Sequence, residues 1–435
     1  MPQFQAPKGM HDILPEDARW YLHVRSRMQE TIEGHGFGRI DTPLLEDEQV
    51  FTKGVGAATD IIEKELYTLR TKGGDKLALR PEGTAPIVRA YLQHGMKTLT
   101  QPVRLYYDGQ MFRHERPQKG RYRQMWQMGI EILGEKDAVS DAEAILVTMN
   151  ALKEAGLKNL SLQINSIGSR ESRLGYVKAL KNFLRKRHGE LAPADKKRLT
   201  SNPLRVLDSK DERTQRALSD APEILDYLNE SDRIHLRSVL EYLEELDIPY
   251  LVNPRLVRGL DYYSRTVFEV WPEPQEGETL SAQAALAAGG RYDDLFRLLG
   301  SKAIGAVGSA IGIDRVVTAL KEQEPDFITY EAPQIFLAQL GEQAKKKALP
   351  LYDELRSAGY SIRGSFGRSS IKSQLRIADK VGAPYVIILG QKEVADNTVI
   401  IRSMKRGTQN TVKRDVLIRE LGRRMKRRQK AKKKK

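Results

Sequence analysis

Residues 112–131, FRHERPQKGRYRQMWQMGIE, place Arg113, Glu115, Arg116, Lys119, Arg121 and Arg123 within a dozen positions. The segment reads as two strand-like runs joined by the turn Pro117-Gln118-Lys119-Gly120, with cations on both strands and on the turn. Fixed cations at that density suit a ligand carrying phosphates, although a solvated charged hairpin has the same composition. The returning run alternates with period two. Met125, Gln127, Gly129 and Glu131 share one face, and Gln124, Trp126, Met128 and Ile130 share the other. An amide and a carboxylate separated by a glycine leave room for a small polar ligand.

Three other segments carry groups of comparable interest. Leu79-Arg80-Pro81-Glu82-Gly83-Thr84 fixes a turn that can aim Glu82 and Thr84 at one ligand. Thr84-Ala85-Pro86 also begins a helix well, and both readings can hold together. Leu256-Val257-Arg258-Gly259-Leu260-Asp261-Tyr262-Tyr263-Ser264-Arg265-Thr266 combines a lone arginine with two phenols, and pairing of Arg258 to Asp261 is its purely structural explanation. Glycine-spaced AIGAVGSAIGIDRVV, residues 303–317, reads as a strand entering a helix that carries Arg315.

Residues 112–131 resemble motif 2 of the class II aminoacyl-tRNA synthetases, and FRHERPQKGRYRQ resembles its histidyl-tRNA synthetase form. Residues 256–266 are similar to a histidine-specific signature of the same family. Ala287-Ala288-Gly289-Gly290-Arg291-Tyr292-Asp293-Asp294 resembles the second such motif, with Asp294 where the family commonly has Gly. Residues 303–317 resemble motif 3, with Asp314 where Glu is more usual. Arg39-Ile40-Asp41-Thr42-Pro43-Leu44-Leu45-Glu46, after a helix opening at Pro15, resembles motif 1, which builds the dimer interface in class II enzymes.

The resemblance implies that ATP activates histidine to histidyl-adenylate and that histidine then passes to tRNA(His). Two anions meet when a carboxylate attacks the α-phosphate, so the site needs fixed cations more than a base. By family correspondence Arg258 and Arg113 are catalytic, and Arg113, Glu115, Arg121 and Arg315 bind ATP. Glu82, Thr84 and Gln127 match the positions that hold the ammonium of histidine. Glu131 and Tyr263, with Tyr262 beside them, match those that read its imidazole, whose two ring nitrogens a carboxylate and a phenol can bond. Arg116 and Gln118 would meet the tRNA acceptor end. Mg2+ would accompany ATP, and a homodimer in the cytoplasm is implied. The scattered histidines suggest no structural metal. Regulatory paralogues of these enzymes, such as the subunit supporting ATP phosphoribosyltransferase, generally lack the C-terminal domain and the Arg258-type motif. This chain keeps both. A tRNA-sensing module of a larger regulator would bring an effector segment, and none is present.

Positioning these groups calls for an α+β fold, with the antiparallel sheet and flanking helices of a class II catalytic domain over residues 1–325. Residues 169–246 turn helical and charged and read as an insertion. Its run Arg185-Lys186-Arg187 suits a solvated helix face or a tRNA contact. After a linker bearing acids and proline, residues 333–421 alternate strands and helices, resembling the family's α/β anticodon-binding domain.

The 435 residues are too many for one core. No run approaches the roughly 18 apolar residues of a membrane span, and the first residues do not read as a secretory signal. Cysteine is absent, which excludes thiolate chemistry and disulfides and is compatible with a reducing compartment. Of the net charge of +15, ten units lie in residues 423–435, RRMKRRQKAKKKK, so the body is only mildly basic. That distribution fits a polyanion partner, and the tail itself reads as disordered.

Overall fold

The computed structural model describes residues 4–56, 59–117, 120–273, 285–328 and 332–433, the last five by their backbone alone. Two compact units are present, Met1–Ile328 and Thr329–Lys435.

An eight-stranded sheet organises the first unit. Strands Val103–Phe112 and Gln124–Leu133 pair antiparallel, and Ala306–Gly312, Ala287–Arg291, Ser264–Pro272 and Leu160–Ser166 extend the sheet beyond them. Only the edge pairings are parallel, Gly38–Arg39 at one end and Tyr250–Val252 at the other. The alternation in Gln124–Leu133 works as the sequence implies. Met128, Ile130 and Ile132 enter a core with helices Pro15–Gly34, Val139–Glu154, Glu230–Glu245 and Ile313–Gln323. Each helix contributes a stripe at helical spacing, such as Val24, Met28 and Ile32, and each such side chain stabilises the fold by about 1.5–3 kcal/mol. A second core covers the opposite sheet face, where Tyr107, Met111, Tyr262 and Tyr292 meet Tyr176, Leu180 and Leu199.

The arginine-rich segment differs from expectation. The strands end at Phe112 and begin again at Gln124, so Arg113, Arg116, Arg121 and Arg123 lie on a loop and not on these strands. Adjacent charges cannot alternate between core and solvent, so they leave the sheet. The loop is closed at its base by Arg113 N donating to Arg123 O at 2.9 Å, and Arg123 N donates to Gly9 O at 2.8 Å. The helices Arg170–Lys186, Pro193–Ser201 and Glu212–Ala217 lie within the charged stretch read as an insertion. Helix Glu230–Glu245 falls in the same stretch, yet Val239 and Leu243 belong to the core under the main sheet. An apolar stripe predicts a helix but not which core receives it. In the basic run, Arg187 stacks over Phe183 and donates to Ala217 O, whereas Arg185 and Lys186 are exposed.

The second unit is a five-stranded sheet in the order Ile362–Gly364, Ile335–Gln339, Tyr385–Leu389, Thr398–Ser403, Gln409–Lys413. Its first three strands run parallel and its last two pairings are antiparallel. The basic tail departs from the disorder expected of it: helix Leu417–Lys433 runs through most of it. Leu417, Leu421 and Met425, spaced by four, pack into the core of this unit. The lone Met425 among cations prolongs a stripe that composition conceals.

Candidate active site

The four segments singled out in the sequence converge on one cleft of about 730 Å3 in the first unit. Glu82, Thr84, Arg113, Glu115, Arg116, Arg121, Gln127, Arg258, Tyr262, Tyr263 and Arg315 all line it. Gln118 lies outside the described residues. Glu131 is the exception, since it sits immediately behind the lining.

At the closed end, Glu82 accepts from Thr84 N at 2.7 Å and from Ala85 N at 2.9 Å, capping helix Thr84–Gln93. The two roles read from the turn therefore coincide in one carboxylate. Burial raises the Glu82 carboxyl above its ordinary value, against the pull of those two amides. Thr84 Oγ1 donates to Glu131 Oε1 at 2.7 Å, and the Tyr292 hydroxyl donates to Glu131 Oε2. Glu131 is 1% exposed, and burial pushes its carboxyl up to about 8. Opposite it in the neighbouring strand stands Gly308, where a Cβ would come within 1.8 Å of Glu131 Oε2. Only a residue without a side chain admits the carboxylate there.

The space beside Gly129 is not left for a ligand, as the sequence suggested. Tyr107, opposite it in the hairpin, lays its ring there, and a Cβ on Gly129 would lie 2.4 Å from that ring. Gly83 meets the same ring from the other side at 2.3 Å. Tyr107 thus fills the space at Gly83 and Gly129 without lining the cleft, and its hydroxyl donates to Gln127 Oε1 at 3.2 Å. That contact orients the amide, which lines the cleft.

The open end is cationic. Arg113 Nε donates to Pro81 O at 2.8 Å, and Arg315 is held by Gly120 O at 3.1 Å and Ala285 O at 2.8 Å. Arg121 reaches Glu115 at 3.4 Å. Burial and then the charges of Arg121 and Arg113 hold Arg315 below the ordinary arginine range, as expected where like charges converge. Arg258 pairs with Glu269 and not with Asp261, whose Oδ1 instead accepts from Asn202 at 2.7 Å. With 18% of its side chain exposed, Arg258 keeps a face toward the cleft. Asp314, in the place where Glu was the usual residue, accepts from the Tyr21 hydroxyl and from Trp126 N, both at 2.7 Å. The shorter acid fits because the hairpin backbone comes to it.

Sequence reasoning missed Tyr292, Glu269 and Tyr107 as site residues. Tyr292 lay inside a motif already noticed, so a search for hydroxyls near Glu131 had a signal to follow. Glu269 and Tyr107 gave none, because their roles depend on strand register.

A family model described as histidyl-tRNA synthetase matches residues 9–316, and one described as anticodon binding domain matches residues 334–424. A histidine–tRNA ligase of Dehalococcoides mccartyi (strain ATCC BAA-2266 / KCTC 15142 / 195) is 44% identical over 96% of this chain and 99% of its own length. The crystal structure of apo histidyl-tRNA synthetase from S. aureus is similar with a TM-score of 0.78 at 33% identity, covering 96% of this chain and all of that one. A Bacillus halodurans C structure named as an ATP phosphoribosyltransferase regulatory subunit/histidyl-tRNA synthetase aligns with a TM-score of 0.63 at 25% identity, covering 90% and 99%. Family models, near full-length identity and the converging cleft agree: the chain belongs to the histidyl-tRNA synthetase family.

Proposed function

We infer that this chain is a histidine–tRNA ligase, joining histidine to tRNA(His) in two steps that convert ATP to AMP and pyrophosphate. In the first, a carboxylate oxygen of histidine attacks the α-phosphorus of ATP and pyrophosphate leaves. In the second, a terminal ribose hydroxyl of the tRNA attacks the activated carbonyl and AMP leaves. The observation that carries this reading is one cleft that gathers the buried acid Glu82 and the phenols Tyr262, Tyr263 and Tyr292 together with seven arginines.

Arg258 is proposed as the catalytic cation between the histidine carboxylate and the α-phosphate, with Arg113 beside the same phosphate. Fixed charges of this kind stabilise the transition state because they need not reorganise as charge develops. Glu115, Arg121 and Arg315 take the rest of the nucleotide. Glu82, Thr84 and Gln127 receive the ammonium, and Tyr262 supports Glu82 from 3.4 Å. Glu131, held by Thr84 and Tyr292 just behind the lining, is the carboxyl proposed to face the imidazole. Glu131 then acts directly or through Tyr292, with Tyr263 as the second partner. An apolar isostere of histidine leaves these groups unpaired, which discriminates far more strongly than a methylene does.

Among the described residues no group of three or more His, Cys, Asp or Glu could cage a metal. A magnesium ion carried by the phosphates, with Glu115 as its protein carboxylate, fits that donor set and would neutralise phosphate charge. Arg116 and Gln118 are proposed to meet the acceptor end, and the second unit the anticodon. A second copy is placed against residues 39–47, where Leu44 and Leu45 stay exposed. No described helix is long and apolar enough to cross a membrane, and we place the enzyme in the cytoplasm.

ATP–pyrophosphate exchange, run separately with each of the twenty amino acids, tests the assignment. Exchange with histidine alone is expected. Silence with all twenty would overturn it in favour of a regulatory paralogue.

A further inference from the structure

One wall of the cleft comes from the helical insertion and not from the sheet. Asn202 donates to Asp261 at 2.7 Å, Arg205 donates to Asp60 at 2.8 Å, and Arg198 lies 3.6 Å from the same Asp60 carboxylate. Asp60 lines the cleft, and Asp261 immediately precedes Tyr262, which also lines it. These contacts foot the insertion on the rim of the site.

Beyond that footing the chain turns through Asp208, Ser209 and Lys210. Ser209 is buried, and its hydroxyl donates to Asp195 at 2.5 Å. Asp195, itself 2% exposed, also accepts from the Thr214 hydroxyl at 2.9 Å and from Arg198 at 3.1 Å. Asp211 caps the next helix by accepting from Arg213 N at 3.0 Å. The backbone on both sides of Lys210 is therefore fixed. A flexible four-carbon stem carries the charge from that point.

Lys210 lines the same cleft as Arg113, Arg121 and Arg315, although it comes from a different part of the fold. Burial, then the charge of Arg121, holds its ammonium below the ordinary lysine value, with Arg315 adding to the effect and Asp208 and Glu269 opposing it. The cleft thus gathers cations from the arginine-rich loop, from helix Ile313–Gln323 and from the insertion around one space, where a polyphosphate would be drawn to all of them.

We propose that Lys210 binds the departing phosphates of ATP, so that the insertion supplies part of the nucleotide site. This rests on the ligase reading above. As the histidine carboxylate oxygen bonds to the α-phosphorus, the bond from that phosphorus to the bridging oxygen of the β-phosphate breaks. The bridging oxygen keeps the electron pair, pyrophosphate leaves, and no proton need move. Lys210 stabilises the charge that collects there. Because Asn202 and Arg205 hold the insertion in place, withdrawing it from Asp60 and Asp261 also withdraws this cation.

Equilibrium binding of ATP, AMP, pyrophosphate and histidine to the full chain tests the proposal, using Lys210→Ala and Lys210→Arg. Removal of a charged hydrogen bond predicts roughly tenfold to hundredfold weaker ATP and pyrophosphate binding in Lys210→Ala. AMP and histidine should bind as before, and Lys210→Arg should recover most of the affinity. Asn202→Ala, which keeps the lysine and loosens its footing, should show a smaller weakening for the same two ligands. Unchanged ATP and pyrophosphate affinity in Lys210→Ala, or an equal weakening for AMP, would overturn the assignment. If wild-type protein showed the ATP-over-AMP dependence on Lys210 but no histidine-dependent exchange, the ligase reading would fail and the phosphate site would stand.

Discussion

The two units bury polarity in different ways. In the first, Arg80, Glu82, Asp108, Glu131, Asp141, Asp232, Arg291 and Asp314 all lie below a tenth exposure. In the second, the buried polar side chains among the described residues are Gln339 and Gln374, both uncharged. Gln374 donates to Gln339 O at 2.7 Å and accepts from Gln339 N at 3.1 Å, a closed neutral pair. Buried ions are costly, and replacing them with apolar groups is often neutral or stabilising. Glu82 and Asp314 line the cleft and Glu131 lies just behind it, which fits preorganisation for charged substrates, whereas Asp108, Asp141 and Asp232 are paired to arginines away from it. The second unit, whose interior needs only to hold its shape, carries its charge on the surface.

Leucine substitutions at buried polar positions in the two interiors should separate these strategies. Arg291 is fully buried, pairs with Asp141 and donates to the carbonyls of Glu135 and Asp137. Arg291→Leu strands Asp141 without its main partner, so chemical denaturation should show destabilisation of about 3–5 kcal/mol. Gln374→Leu breaks neutral hydrogen bonds and should cost about 1–3 kcal/mol. Comparable values would erase the contrast.

Arg258→Ala probes function more than stability. Its partner Glu269 keeps a bond from Trp271 Nε1 at 3.1 Å and lines the cleft, so the fold should survive. Adenylate formation should fall on the order of 10²–10³-fold, as for removal of one preorganised donor. Near-normal pyrophosphate exchange in a folded variant would remove Arg258 from the mechanism.

Glu131 tests whether a buried acid imposes a stability cost. Its folded value of about 8 lies above the ordinary 4.5, so the folded state keeps a proton that the unfolded chain releases. Stability should then fall as pH rises from about 4.5 to about 8, by up to about 5 kcal/mol. Glu131→Gln should flatten that slope and weaken histidine binding, with ATP binding little changed. Glu82, raised in the same direction, leaves a residual slope in the variant. A denaturation series across pH, paired with separate titrations of each ligand, decides the matter.

The smallest expected effect belongs to the second unit. Replacing Lys426, Arg427 and Arg428 with Gln should leave stability nearly unchanged and weaken tRNA binding at low salt. The slope of log affinity against log salt should drop by about 0.9 for each phosphate that is no longer neutralised. Cognate and non-cognate tRNA should be weakened equally. An unchanged slope would remove these cations from the interface.

Legibility in the sequence followed the range of the interactions. Hairpin pairing, the strand-to-helix junction before Arg315 and the helix start at Thr84 are local, and their residues announced them. Motif resemblance carried Arg258, Tyr262 and Tyr263 to the cleft despite their distance in the chain. What stayed hidden depends on register or on packing between remote segments. Tyr107 filled the space beside Gly129 because it stands opposite in the neighbouring strand. Lys210 reached the cleft because Ser209 is tied to a buried acid fourteen positions earlier. The cations of residues 113–123 were assigned to strands because period alone does not reveal where a sheet stops.

The helix Leu417–Lys433 has a further consequence for reach. Met425 is its last described side chain in the core, and eight more residues extend the backbone by about 12 Å at helical rise. That projection exceeds the roughly 8 Å over which physiological salt screens a charge. Lys426 and Arg427 stand exposed at the start of that projection, so a polyanion held there meets cations on a helix that Met425 anchors to the core.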